Sequence, residues 1–253
     1  FAVADGMGGH LGGAQASSRA VITLQEFLSP GRLGNRPVDL VDLSVAIDAA
    51  ATSVAALAPA DNPMSAPGTT LSGLMVLRTT EGPYWLSFNV GDSRAYVVGG
   101  GGIRQLTHDH SALQEARDLA ATSGAPRVIP PANVVTKALG AGQSGSVKAD
   151  YTIMPLEEGD RAVICTDGVH GVLQDAQIHA IVAVGDGPQG SADALVQASL
   201  ETGTRDNTTA VVVYAGTESR VTLTSNVLNR MIQPVRPASI QTARRVPRRE
   251  GSN

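Results

Sequence analysis

At 253 residues, 42% of them hydrophobic and 17% charged, the chain is long enough for one large domain or two small ones with a sizeable core. A single cysteine excludes a disulfide framework and fits a reducing compartment, no apolar run reaches the roughly 18 residues of a membrane-spanning helix, and aromatics at 3% leave the core to Val, Leu, Ile and Ala. The net charge of −4 hides an asymmetry. From Gly216 to Asn253 there are seven arginines against two glutamates, which leaves twelve basic and twenty-one acidic residues before them, a net of −9 that argues against nucleic acid as the main partner.

FAVAD reads as a strand, and AQASSRAVITLQEFL as a helix that stops at Pro30 and Gly31. The loop SPGRLGNRP leads into DLVDLSVAIDAAATSVAALA, an amphipathic helix with Asp39 in its N-terminal turn. TTLSGLMVLRT and YWLSFNVGDSRAYVV read as strands around the turn TEGP, and GGGGIRQLT as a hairpin with a short strand. SALQEARDLAATSG is helical, YTIMPL and RAVICTD are strands around EEGD, DAQIHAIVAV and SADALVQASLETG are helices, and TTAVVVYAG is the last strand. Strands arrive in blocks rather than in strict strand–helix alternation, which predicts an α+β layered architecture with mainly antiparallel sheets. The basic segment 216–253, with its run TARRVPRREGSN, reads as a poorly ordered tail behind a domain over 1–215.

Three carboxylates share one setting, an apolar strand meeting a loop: Asp5 after FAVA, Asp167 after AVICT, and Asp206 just before TTAVVVY. A buried carboxylate without a partner is costly, and several at neighbouring strand ends repel one another unless a cation holds them. Asp oxygens are hard ligands that suit Mg²⁺ or Mn²⁺, and the chain offers no Cys/His cluster for zinc or copper. Taken singly, Asp-Gly and Asp-Asn are ordinary turn dipeptides. Cys165, inside the apolar run AVIC, reads as a small buried hydrophobe rather than a nucleophile.

VADGMGGHLGGAQAS, PGTTL, NVGDSRAYVV, LTHDHSALQE, VVTKALG, ICTDGV and RDNTTAVVV occur in an order that resembles the metal-dependent protein phosphatases, the type-2C serine/threonine phosphatases, in their bacterial form. The resemblance covers Phe1 to Tyr214. It implies a four-layer α-β-β-α sandwich, two antiparallel sheets flanked by helices, with a binuclear Mn²⁺ or Mg²⁺ centre and a weaker third ion at one end. Carried over motif by motif, Asp5 would bridge two ions, the Gly6 carbonyl would bind the second, Asp167 and Asp206 would bind the first, and Asp109 would hold the third. Gly68, Thr69, Thr70, Gly91 and Asp92 read as architectural. A water activated by two ions needs no side-chain nucleophile. His10 is a candidate general acid for the leaving alkoxide, whereas His108, His110 and His170 read as loop residues.

The resemblance further implies phosphoproteins as substrates, marked by a bacterial Ser/Thr kinase or including the kinase itself, and a cytoplasmic monomer. Two alternatives stay open: a catalytically weak phosphatase-like binding module, and a phosphatase of the sporulation and stress branch acting on sigma-factor regulators. The family carries an upstream strand with a phosphate-binding arginine and an acidic pair, and the chain begins at Phe1 inside a strand. The sequence is therefore expected to be a piece of a longer product lacking that N-terminal strand. Ala14 stands where relatives often have glutamate, and Ala120–Ala132 is shorter than the usual flap, so specificity does not carry over.

Overall fold

The computed structural model describes residues 1–8, 10–34, 36–60, 62, 65–123, 129–131, 133–142 and 147–216, without the side chains of His10 and Leu11. Its elements are numbered in chain order. One antiparallel sheet has the strand order β1 (Ala2–Val3), β4 (Leu71–Thr79), β5 (Gly82–Val90), β9 (Asp150–Pro155). A second antiparallel sheet has the order β11 (Ala210–Tyr214), β10 (Arg161–Cys165), β6 (Arg94–Gly99), β7 (Gly102–Gln105). A small third sheet, β2 (Gly6–Met7), β3 (Gly68–Thr69) and β8 (Leu139–Gly140), lies outside both. The helices are α1 (His10–Phe27), α2 (Pro30–Leu33), α3 (Leu40–Ala55), α4 (Ala112–Ser123), α5 (Asp167–His170), α6 (Asp175–Val184) and α7 (Pro188–Thr202).

The layering follows from the two-residue period of the strands. In β10, Ala162 and Ile164 point into an inter-sheet core with Val3, Leu74, Trp85, Ala95, Val97 and Val211. The alternate residues Val163 and Cys165 join Tyr96, Val98, Val212 and the apolar sides of α6 and α7. On the other outer face, Leu86, Phe88 and Val90 of β5 pack with Ala16, Ala20 and Leu24 of α1 and Leu43, Ile47 and Val54 of α3. Three apolar seams separate four layers, helix–sheet–sheet–helix, as the family resemblance implies.

Local signals explain the boundaries. Asp39 caps α3 by accepting from the Asp42 N–H at 2.9 Å, while Asp42 accepts from the Asp39 N–H at 3.0 Å, a reciprocal box. The stretch YWLSFNVGDSRAYVV, read as strand around a turn, divides between two sheets: β5 belongs to the first and β6 to the second. Gly91–Ser93 thus links the two sheets. A second link runs from β9 to β10 through residues 156–160, where buried Asp160 accepts from the Glu157 N–H and the indole N–H of Trp85, both at 3.0 Å. The basic tail predicted over 216–253 lies, apart from Gly216, outside the described residues.

Removing the Asp160 carboxylate strands a buried indole donor, whose loss of partner costs about 1–3 kcal/mol. Asp160→Ala is expected to lower stability by that amount, read from the urea midpoint at unchanged m-value. An unchanged midpoint would show that the link does not depend on this bond.

Candidate metal centre

Asp5 lies between β1 and β2, where the two strands belong to different sheets. Its N–H donates to Thr70 Oγ1 at 2.9 Å, and its carbonyl accepts from the Thr70 N–H at 2.8 Å and Thr69 Oγ1 at 2.9 Å. Asp167 opens α5 directly behind the central strand β10. Thr166, just before it, is tied to the last strand's approach: its N–H donates to the Thr209 carbonyl at 3.1 Å, and its hydroxyl accepts from the Thr209 N–H at 3.2 Å. A Cβ on Gly168 would come within 2.3 Å of the Asn207 carbonyl, so glycine is what lets the Asp167 and Asp206 loops touch. Asp206 itself is exposed on the rim and accepts from the Asn207 N–H at 2.7 Å.

These carboxylates act on one another. Burial, then the charge of Asp167, a hydrogen bond with it, and the charges of Asp206 and Asp92 hold the Asp5 carboxyl well above the usual carboxylate range. Asp167 is raised by burial and by Asp206. Asp92, 7% exposed, is pushed up to about 6 by burial and by Asp167. Asp92 therefore belongs to the cluster, although the sequence reading classed it with the architectural residues. Its signal was present: NVGD ends an apolar strand on a carboxylate just as FAVAD and AVICTD do.

Asp109, expected to hold a third ion, is engaged by a cationic side chain. Both its oxygens accept from Arg94, at 2.9 and 3.0 Å from Nε and 2.7 Å from Nη2, and Oδ1 also accepts from Gln105 Nε2 at 3.0 Å. Gly6 begins β2 opposite Thr69, and its carbonyl lies against α1, where a Cβ on Gly13 would come to 2.6 Å. His10 starts α1, but its side chain, and with it the general-acid reading, lies outside the described residues. His108 bonds exposed Asp118 at 2.8 Å, away from the carboxylates. Cys165 is fully buried with its thiol pushed up to about 12, which leaves it inert. Of the shortened flap, residues 124–128 and 132 lie outside the described residues.

The residues fit a hard divalent cation. Asp167 Oδ1 is buried without a hydrogen-bond partner, the exception that a polar atom waiting for a ligand would make. Among the described residues no three His, Cys, Asp or Glu side chains are drawn together as a closed cage.

The sequence matches the protein phosphatase 2C family over residues 1–207. It is 28% identical to the Listeria innocua serine/threonine phosphatase stp over 214 residues, covering 83% of this chain and 82% of that one. It is also 28% identical to the Mycobacterium tuberculosis serine/threonine protein phosphatase PstP, covering 84% of this chain but 39% of PstP. Among solved structures, the S. agalactiae serine/threonine phosphatase superposes with a TM-score of 0.70 at 26% identity, over 85% of this chain and 86% of that one. The catalytic domain of PstP in complex with two manganese ions gives 0.69 at 28% identity, over 85% and 86%.

A carboxyl whose folded-state pKa is raised contributes stability that is fully present below its unfolded value, about 3.9, and lost as the pH rises through the raised value. Asp5→Asn is therefore expected to stabilise the metal-free protein at pH 8 by about 1–2 kcal/mol while weakening Mn²⁺ binding. Thermal melts in chelator and in Mn²⁺ check both signs; destabilisation in chelator would contradict the charge argument.

Proposed function

Because the chain belongs to the protein phosphatase 2C family, we propose that its carboxylate cluster carries the metal-dependent hydrolysis of phosphoserine and phosphothreonine on proteins. The chain is a metal-dependent serine/threonine phosphatase, and Mn²⁺ or Mg²⁺ is its cofactor. One observation carries the reading: burial and neighbouring carboxylate charges, Asp206 among them, hold the Asp5, Asp92 and Asp167 carboxyls above the usual range at one end of the sandwich. In this reading Asp5, Asp167 and Asp206 hold the two principal ions, with the Gly6 carbonyl beside Asp5. Asp109 would hold a weaker third.

When bound, paired divalent cations lower the pKa of a water and neutralise charge on the phosphoryl group. The chain's own contribution is positioning. Thr70 and Thr69 fix the Asp5 backbone, Thr166 and Gly168 bring the Asp167 and Asp206 loops together, and Asp206 at the rim leaves the cluster open to a protein substrate. Direct attack by water needs no side-chain nucleophile, and Cys165 is buried with its thiol pushed up to about 12. Substrates are phosphoproteins marked by a Ser/Thr kinase. Among the described residues no helix is long and apolar enough to cross a membrane. A phosphatase domain over 1–215 followed by a basic tail, acting as a cytoplasmic monomer, completes the reading.

Hydrolysis of a phosphothreonine peptide by this chain is expected with Mn²⁺ and not with chelator. Asp167→Ala should cost about 100-fold or more in kcat/KM, the scale of losing a group aimed at transition-state charge. Metal-independent turnover, or an Asp167→Ala rate equal to that of the parent, would sink the assignment.

A further inference from the structure

Among the described edge strands of the two main sheets, only β9 exposes large apolar side chains. Tyr151 and Ile153 stand opposite Phe88 and Leu86, whose side chains pack toward α1 and α3, so both point to the helix side of the sheet. There Tyr151 hydrogen-bonds Ser44 of α3, above a cleft of about 210 Å³ lined by Ile47, Asp48, Val147 and Lys148. Val54 near the end of α3 packs on Gly140, and Asp150 at the start of β9 accepts from Lys137 at 2.9 Å, three residues before that glycine. Helix and strand therefore run in opposite directions, which places Leu40 and Val41, 43% and 70% exposed, toward the Ile153 end of β9. Together with Tyr151 and Ile153, 38% and 59% exposed, they form an apolar margin along the strand.

The backbone of this edge is open as well. The Leu156 N–H donates to the Pro83 carbonyl at 3.0 Å, and the same alternation turns the even residues of β9 toward β5 and the N–H groups of Tyr151 and Ile153 outward. Pro155, which has no N–H, takes the next outward position. Such an edge is a template for another strand. The described chain leaves the sandwich close by: the Gly159 N–H donates to the Ala215 carbonyl at 3.2 Å, and only residues 156–158 separate Gly159 from Pro155. That link exposes Glu157 and Glu158, and the Leu156–Pro83 bond brings the turn with exposed Glu81 alongside. Past Gly216 the chain carries seven arginines against two glutamates, and its first arginine opens Arg220-Val221-Thr222-Leu223-Thr224, an alternation with the two-residue period of a strand.

We propose that residues 220–224 of the chain's own basic segment add to β9 as an antiparallel edge strand. Four residues carry the backbone from Pro155 to Gly159, so the four from Thr217 to Arg220, spanning up to about 14 Å, are long enough to retrace that path. Retracing it makes the added strand antiparallel to β9. Val221 and Leu223 share one face and cover Tyr151, Ile153, Leu40 and Val41, while the outward N–H groups of Tyr151 and Ile153 gain carbonyl acceptors. Arg220 enters beside the acidic turns, where opposite charge favours this segment over a further acidic chain. The assignment concerns the face away from the carboxylate cluster and stands independently of the phosphatase reading.

Amide hydrogen exchange at Tyr151 and Ile153, resolved by NMR on the 253-residue chain, tests the pairing. The comparison is the double variant Val221→Pro/Leu223→Pro, which removes two N–H donors and leaves every residue of the sandwich in place. Both edge amides are expected to exchange about 10-fold or more slowly in the parent than in the variant, while core amides such as that of Ile164 exchange alike. Equal exchange at Tyr151 and Ile153 in the two proteins would overturn the proposal. Protection that grows with protein concentration would also overturn it, since the edge would then be covered by a second copy of the chain.

Discussion

Mutual repulsion among Asp5, Asp92, Asp167 and Asp206 is the constraint around which the rest of this structure is arranged. Carboxylates at close range raise one another's pKa, and burial of three of them adds to the cost. No local element would gather such groups by itself. They are held because each is fixed through its backbone by strands whose own pairing is driven by apolar burial. Asp167 follows the central strand β10, which is zipped over five residue pairs to β11 on one side and to β6 on the other. Asp5 is anchored to Thr70 at the start of β4, which pairs over nine positions with β5. The sandwich provides the stability, and the cluster spends part of it in the absence of a cation.

Hydroxyls bind the separate segments into one frame. Thr70 Oγ1 receives the Asp5 N–H and lies 2.8 Å from Ser93 Oγ, which joins the Asp5 segment to the turn that carries Asp92. Ser72 donates to the Ser93 carbonyl at 2.8 Å and to Asn89, and Asn89 in turn spans Gly91 and His108. Thr70, Ser72, Asn89 and Ser93 are buried and hydrogen-bonded, so displacing one leaves others without partners. Gly6 and Gly13 meet in the same region, bringing the start of α1 tightly against β2.

Most of the architecture was legible because strand periodicity is a strong signal, and β10, β11, β4 and the capping of α3 by Asp39 follow directly from it. Asp5, Asp167 and Asp206 were legible for a related reason: a carboxylate closing an apolar run breaks the pattern. Asp92 breaks it too, but it lies inside a long strand-like stretch, and the division of that stretch between two sheets is a tertiary event with no local mark. Asp109 was legible only through the resemblance, and the tertiary contact by which Arg94 engages both its oxygens leaves no mark in the local sequence. The small sheet of β2, β3 and β8 was also missed, because two-residue strands carry no period.

The pairing of β10 with β11 also bears on when the site comes into being. Asp5 follows the first strand β1, and Asp206 enters only with the approach to the last strand of the sandwich. Chains emerge from the ribosome N-terminus first and fold as units once the necessary segments are available. The two sheets therefore cannot gather all four carboxylates until β11 has been made and zipped onto β10. Such long-range closure belongs to the slow class of folding events. A nascent chain thus has no complete centre until the last strand of the sandwich has been made and paired.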